Sequence, residues 1–527
     1  MKKFLRNNIC LIVILLLYIF VIFLFSDHVP LWDAWRSIDI WIKAAVFSRF
    51  NLLNFENAGH PSFAYYLPMS LLQYLDFGNQ FYLHITSTLM GITMIIFFYK
   101  IIRILFSQTE DIEIYLLTAI FAFFPIFLSN QLHIGPDYGV LVFFIIFLYF
   151  FLAKKVTLAV IAACFLMFTK EAGILLYGAT LVSFSFTGML MGRFSINSII
   201  KQLKKNSIYL LPPIFFGIRI LYLLFILHKK ALWITFNSSP DSIDFALFPP
   251  AVNQNVPLSY FLGIFVLNFN WILTIFIFLG FIEVFFRKVK SSSFYLKHIF
   301  TALYLEFILS YILLTFIRTF TNVRYFLPLY ALMIIFSYIG IRSIIKTNLV
   351  RRLSLLVVFL IFFISNFNTL DPLSQKIWGT FKFGDHDLLK MTSITGECCG
   401  YGRDQLVYNL QYIYFSRLQD KFYEDVKLSS HDAIAYHPID APEIIGRIDE
   451  KNHKRTARLV GSFEPYVVTY LFPSLPVKPD RIYYLAFPNV DNKETLGYYL
   501  TYYQIEKVTT YEEDGYALNV YSLKLKS

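Results

Sequence analysis

Residues able to do chemistry are few in this chain, and they gather at the ends of apolar runs. The richest group is Asp27-His28-Val29-Pro30-Leu31-Trp32-Asp33-Ala34-Trp35-Arg36. Asp33 there has the chemistry of a general base at a membrane–water boundary, and Arg36, one helical turn on, that of a partner for it or for a phosphate. The same residues also read as a solvated helix start with Asp33 as N-cap. A second group is Asn57-Ala58-Gly59-His60-Pro61, which leads into Tyr65-Tyr66. His60 suits an anionic head group and the tyrosines suit head-group depth, while a Gly-His-Pro turn is by itself a sufficient helix start. In His133-Ile134-Gly135-Pro136-Asp137 the last residue either caps a helix or faces a ligand. Lys170-Glu171 and Arg324-Tyr325 complete the set, each beside an apolar run, where cations suit a phosphate-bearing lipid or bulk head groups equally.

The surroundings make these charges informative, because a charge near a bilayer is costly and needs a compensating role. Of 527 residues, 57% are apolar, 19% aromatic and 15% charged, where a soluble chain has roughly a quarter charged. With 59 Phe and a mean hydropathy of +0.57, the chain is neither disordered, nor a coiled coil, nor a disulfide-stapled mini-domain, nor a wholly soluble protein. A polytopic membrane protein remains. The net charge of +11 divides unevenly about a composition boundary near 369/370: 28 Lys+Arg against 14 Asp+Glu precede it, and 18 against 21 follow. All the excess positive charge therefore lies in the apolar part, which removes nucleic acid as a partner.

A spanning helix needs about 20 mostly apolar residues. Eleven segments are candidates: 9–25, 81–99, 113–131, 137–153, 156–170, 172–190, 207–227, 259–286, 298–317, 325–341 and 353–369. With the N-terminus cytoplasmic, 19 Lys+Arg fall on the inner side and 8 on the outer side before the C-terminal region, as the positive-inside preference asks. An odd number of spans then places the C-terminal region outside. The first span reads as an uncleaved anchor rather than a signal peptide, since no small-residue cleavage site follows Phe25. Residues 34–50 and 63–77 are expected to lie in the membrane plane within a first outer loop, 26–80. A second outer loop covers 228–258. Lys170 and Arg324 break the inside bias of the positive charges.

Domains are expected at 1–369, the membrane part, and 370–527, an extracytoplasmic α/β domain. The latter has a helical stretch near 403–425, β-like runs at 466–472 and 481–487, and a final pair, 503–510 and 516–524. Tyr511 to Gly515 separate that pair, and their Asp-Gly step suits a hairpin turn. The fold class is thus mainly α: a helical membrane bundle with interfacial helices and a C-terminal α/β domain. No Walker loop, nucleophile elbow, dinucleotide fingerprint or close-spaced zinc set is present. Asn237-Ser238-Ser239 is a glycosylation triplet of the kind that arises by chance. Adjacent Cys398-Cys399 leave a vicinal disulfide, two thiols or bridges to another chain open.

The order of these pieces resembles the GT-C glycosyltransferases, in particular the protein O-mannosyltransferase-like branch that includes the lipid A aminoarabinose transferases. The resemblance rests on WDAWRSID (32–39), GHPSFAYYLPMSLLQYLDFG (59–78), GPDYGVLVFFIIFLYFFLAKK (135–155), FTKEAGILL (168–176) and RYFLPLYALM (324–333), and covers most of 1–345. It implies an integral-membrane glycosyltransferase that moves a sugar from a polyprenyl-phosphate donor to a hydroxyl of a lipid, glycan or protein. Asp33 matches the family's base, while Ala34 stands where a second acid is common, which leaves Asp33 alone with Asp39 further along the helix. His60 takes a position sometimes held by a phosphate-contacting Lys. Asp137 resembles the acid opening the fourth span, Lys170 the lysine after the fifth, and Arg324 the basic residue before a tyrosine-proline stretch.

The physical account agrees with the resemblance. A sugar joined through C1 to a polyprenyl phosphate already has a good leaving group, so the site needs cations at the phosphate and a carboxylate for the acceptor hydroxyl. Asp33 is the expected base; Arg36, His60, Lys170 and Arg324 are the expected phosphate partners; Asp39, Tyr65, Tyr66, Asp137 and Tyr325 are expected to contact substrate. No tightly bound cofactor and no metal site are expected, and dependence on a divalent metal stays open. The bilayer, the lipid-linked donor and the acceptor are the expected partners, and the expected location is a bacterial inner membrane. A transporter or flippase of lipid-linked sugars is the alternative; it would carry charges at mid-span, where Arg219 and Glu306 lie, and a repeat of its halves.

Overall fold

The computed structural model describes residues 2–26, 63–73, 75, 80–190, 207–222, 265, 268–286, 294–317 and 323–367 of the apolar part. Beyond it, the model describes 380–383, 386–390, 417–427, 432–436, 458–460, 479–486, 493–513 and 516–526. In chain order the helices of the first part are α1 (Lys2–Phe23), α2 (Phe63–Gln73), α3 (Gln80–Leu105), α4 (Asp111–Ala122), α5 (Pro125–His133), α6 (Pro136–Leu152) and α7 (Val156–Met167). They continue as α8 (Ala172–Leu190), α9 (Leu211–Leu221), α10 (Trp271–Phe286), α11 (Phe294–Ile317), α12 (Leu327–Ile344) and α13 (Asn348–Ser365).

Over its described residues, each of the eleven expected segments contains apolar helix. Among the described residues, six helices are long and apolar enough to cross a membrane alone, and α4 with α5 would make a seventh. Apolar helices at Asn8–Phe23, Pro136–Leu152, Val156–Met167 and Ser207–Leu221 are shorter. The chain is an integral membrane protein. One expectation needs correcting, because 113–131 is not one straight helix: α4 and α5 meet at 45°. Pro125 is the cause, since it lacks an N–H and pushes Phe124 to extended backbone (φ −65°, ψ 123°).

The central helix is α12, whose spanning window is 83% buried, against 22% for that of α13 at the edge. It crosses α10 at close range. A Cβ on Gly340 would lie 1.9 Å from the Phe276 carbonyl oxygen, so only glycine permits this approach. Ser337 adds a hydrogen bond to the Leu273 carbonyl at 3.2 Å. Gly340→Leu is expected to cost about 1–3 kcal/mol through overpacking, read as a lower melting temperature of purified protein; unchanged melting would show that the helices have room to part.

Both ends of α12 carry arginine. At the end remote from Arg324, Arg351 of α13 grips Glu113 of α4 with two bonds of 2.6 Å, and Tyr338 of α12 donates to the same carboxylate at 2.5 Å. Around this buried pair, Arg352 pairs with Glu110, Asn348 donates to Glu110 at 2.5 Å, and Arg342 donates to Thr109 at 3.1 Å. Three helices are thereby tied together by charge at one end of the bundle. Midway along the bundle, Glu306 of α11 is fully buried and hydrogen-bonded to Thr180 of α8 at 2.6 Å.

The later residues form a sheet of their own. Strands β1 (Thr380–Phe383) and β2 (His386–Lys390) pair as a hairpin, and a short helix, α14, covers 417–425. Strands β3 (Asp432–Tyr436), β4 (Arg458–Val460), β5 (Arg481–Ala486), β6 (Tyr503–Glu513) and β7 (Tyr516–Leu525) form a sheet of order β4-β3-β5-β7-β6, with helix α15 (Lys493–Leu500) between β5 and β6. The pairings β3–β4 and β3–β5 are parallel, the others antiparallel. The core here is Ala435, Ile482, Tyr484, Ala486, Tyr499, Tyr503 and Leu523, a cluster distinct from that of the helices. The strand at 481–487 and the final hairpin are as expected, except that pairing continues to Glu513 opposite Tyr516. Tyr511, Glu512 and Glu513 are therefore strand, not turn. The helical stretch expected near 403–425 is described from 417 onward, while 466–472 and Cys398-Cys399 lie outside the described residues. Cys10 and Cys164 are free thiols.

Candidate functional site

Lys170, Asp137, Arg324 and Tyr325 come together although the chain separates them widely. Lys170 lies in the turn between α7 and α8, and its Nζ donates to both carboxylate oxygens of Asp137 at 2.8 Å. The Arg324 Nε lies 3.5 Å from Asp137 Oδ2. The Tyr325 ring is the floor of the group, with the Lys170 Nζ 4.6 Å and the Arg324 guanidinium 5.6 Å from its centroid. Lys170, Asp137 and Arg324 are all buried, at 2%, 4% and 8% exposure. Charges removed from water to this degree hold one another firmly, and losing one partner is costly.

Local sequence explains each placement. Gly135 is the N-cap of α6 with no side-chain cap bond, and Pro136 fills the first helical position, where its missing N–H costs nothing. Asp137 thus lies inside the first turn, with its carboxylate paired to Lys170. Before it, Ile134 adopts a left-handed backbone, φ 58°, an uncommon state for a β-branched residue. The Tyr66 hydroxyl donates to the Ile134 carbonyl at 3.0 Å and steadies that turn. Arg324 and Tyr325 sit in a 3-10 turn, Val323–Phe326, that runs into α12.

Helix α2 is packed on this site. The Ala64 amide donates to the Phe168 carbonyl at 3.1 Å, next to the Lys170 turn. Tyr65 is fully buried, and its ring fits where a Cβ on Gly139 would come within 2.6 Å of it. A larger residue than glycine at 139 would push Tyr65 away. Tyr65 and Tyr66 are thus buried and pack against the Asp137 turn and Gly139. Asp33, Arg36, Asp39 and His60 lie outside the described residues.

Sequence reasoning missed three neighbours and read a fourth, Arg219, only as a mid-span charge. Tyr18, Gln131 and Tyr138 form a buried hydrogen-bonded group that ties α1, α5 and α6 directly beside Asp137. Their signal was weak, being three polar residues scattered among apolar helices. Arg219 of α9 is half-buried and within electrostatic reach of Glu171, the residue after Lys170. Its spacing from Pro212 and Phe216, the buried residues of α9, places it on the inward face. No group of three or more His, Cys, Asp or Glu able to hold a metal occurs among the described residues.

Neither a protein-family model nor a curated protein matches the chain by sequence. A solved structure does match: ArnT from Cupriavidus metallidurans bound to undecaprenyl phosphate, at TM-score 0.50 over 98% of both chains. The fold is ArnT-like. At 11% identity the likeness is one of architecture, and it extends over the described helices and the C-terminal sheet alike. The helical membrane fold with a C-terminal sheet expected from the sequence is the one observed. The ArnT likeness lends no support to an assignment within the protein O-mannosyltransferase-like branch.

Proposed function

We propose that this protein is a membrane glycosyltransferase that moves a sugar from a polyprenyl-phosphate donor to a hydroxyl of a lipid, glycan or protein acceptor. The observation that carries the reading is the buried convergence of Lys170, Arg324 and Asp137 on Tyr325 at one end of the bundle. Cations held in a site away from water are what a departing phosphate needs, because they stabilise its developing charge without reorganising. The solved ArnT structure holds undecaprenyl phosphate, a lipid of the proposed donor class.

In this reading Lys170 and Arg324, with Arg36 and His60, bind the donor phosphate, and Asp137 fixes the directions of the two buried cations. Asp33 takes the proton of the acceptor hydroxyl while the oxygen attacks C1 from the side opposite the phosphate. The C1–O bond to phosphate breaks, polyprenyl phosphate departs, and the anomeric centre inverts. Asp39 and Tyr325 complete the walls of the substrate site, and Tyr65 and Tyr66 support it from behind. Residues 1–369 form the catalytic domain and 370–527 an extracytoplasmic domain, with the N-terminus cytoplasmic and the site on the outer face of a bacterial inner membrane.

The test is mass spectrometry of lipid-linked sugars and surface glycans in cells with the intact gene, without it, and with Asp33→Asn. Loss of a general base is expected to lower transfer by about 100- to 10,000-fold, so the variant should accumulate the polyprenyl-phosphate sugar as the null strain does. Unchanged glycans in cells that still make the Asp33→Asn protein would end the assignment of Asp33 as base. Movement of a labelled solute by purified protein in vesicles would favour a transporter instead.

A further inference from the structure

At the end of the bundle away from the Asp137 site, a cleft of about 630 Å³ opens between the start of α1, the end of α3 and the start of α4. Asn8, Cys10, Tyr99, Arg103, Asp111 and Tyr115 line it. We propose that this cleft binds the head group of an aminophospholipid, a phosphate joined to a primary ammonium. The inference does not depend on the sugar-transfer reading, since it concerns other residues at the other end of the molecule.

The charge pattern selects the ligand. Arg103 Nη1 and Asp111 Oδ1 are 2.7 Å apart, with side chains 37% and 63% exposed, so both charges face the open cleft. An ion pair as exposed as this is worth about 0–1 kcal/mol, so exchanging its partners costs little. A ligand bearing both signs replaces both halves at once, phosphate on Arg103 and ammonium on Asp111. An anionic head group would meet Arg103 but be opposed by Asp111, and a quaternary ammonium has no N–H to donate to the carboxylate. Arg103 is itself held in place: its Nε donates to the Tyr99 hydroxyl at 3.0 Å, and Tyr99 stacks on Tyr115 at 5.7 Å and 6°.

The apolar surroundings match the rest of the lipid. Ile9, Val13, Leu16 and Phe20 on α1 are 57–60% exposed, and their spacing of four, three and four residues makes one continuous stripe. At 1.5 Å per residue the stripe is about 16 Å long, close to one leaflet of a hydrocarbon core about 30 Å thick. It starts at Ile9, a residue of the cleft itself, so a head group bound there would lay its acyl chain along α1.

The experiment is native mass spectrometry of the full chain, delipidated in detergent and offered phosphatidylethanolamine, phosphatidylcholine and phosphatidylglycerol with identical acyl chains. The expected result is retention of phosphatidylethanolamine over each of the others by about fivefold, the ratio that about 1 kcal/mol supplies. The double variant Arg103→Gln with Asp111→Asn removes both charges together and should retain the three lipids equally. Equal retention by the unaltered protein, a preference for phosphatidylglycerol, or a preference that survives in the double variant would each overturn the proposal. Should that variant not fold, the mono-, di- and trimethylated ethanolamine lipids test the same point on the unaltered chain. Retention must fall with the loss of the last N–H, and a flat series would refute the site.

Discussion

Lys170→Met lowers sugar transfer by about 100- to 1,000-fold, the loss that follows when one preorganised group facing a developing charge is removed. Lys170 donates to both oxygens of Asp137 and lies over the Tyr325 ring, so its ammonium has a fixed position before any donor arrives. Methionine keeps the length of the stem and removes the charge. Arg324 remains 3.5 Å from Asp137, so the carboxylate keeps a cationic neighbour and the bundle should stay folded. Asp137→Asn is the harsher change for stability, because Lys170 and Arg324 would then lie buried beside a neutral amide. The measurement is the accumulated lipid-linked sugar in cells carrying each variant, together with the melting temperature of the purified proteins. Transfer at the original rate in Lys170→Met would remove this cluster from the reaction.

Arg351→Met is expected to destabilise the fold by about 3–5 kcal/mol, the cost of leaving a buried carboxylate without its cation. Glu113 is fully buried, and Arg351 supplies two of its short bonds, while Tyr338 alone would remain as a donor. The partner change Glu113→Gln is expected to be damaging for the mirrored reason. Combining the two removes both charges, and the double variant should recover much of the loss, since the buried ions then vanish together. Thermal melting of the four proteins in one detergent gives this coupling directly. Additive losses would show that the two side chains act separately. The pair lies at the opposite end of α12 from Arg324, so a folded double variant should keep the Lys170–Asp137–Arg324 cluster.

Much of the fold was legible because bilayer chemistry is strict. Over the described residues, every expected span contains apolar helix, since an unpaired backbone in hydrocarbon is too costly for anything else. Bends and edges were less legible. The break at Phe124 required Pro125 to be weighed against an otherwise uniform apolar run, and the first strand of the last hairpin runs on past its expected end at 510 to Glu513. Of the expected site residues, Lys170 and Arg324 stood out as positive charges on the less basic side of the spans. Asp137 stayed ambiguous, because an acid in the first helical turn suits the helix dipole whether or not it has another role. The structure adds that its carboxylate is paired with Lys170. Tyr65 and Tyr66 were read as aromatic residues at head-group depth, a preference shared by many tyrosines; the packing of Tyr65 on Gly139 and the bond of Tyr66 to Ile134 had no sequence signal.

The sequence by itself determined that this is a membrane protein, where its helices lie and which charges are exceptional, because those properties are sums over neighbouring residues. The tertiary structure decided which exceptions belong together. Asp137 meets Lys170 and Arg324, whereas Glu113 meets Arg351, and no local pattern distinguishes these two acids, each in the first turn of an apolar helix. Partner choice between buried charges depends on helix crossings set by contacts such as Gly340 on Phe276 and Tyr65 on Gly139. Such contacts join residues far apart in the chain, and they exist only once the bundle has packed.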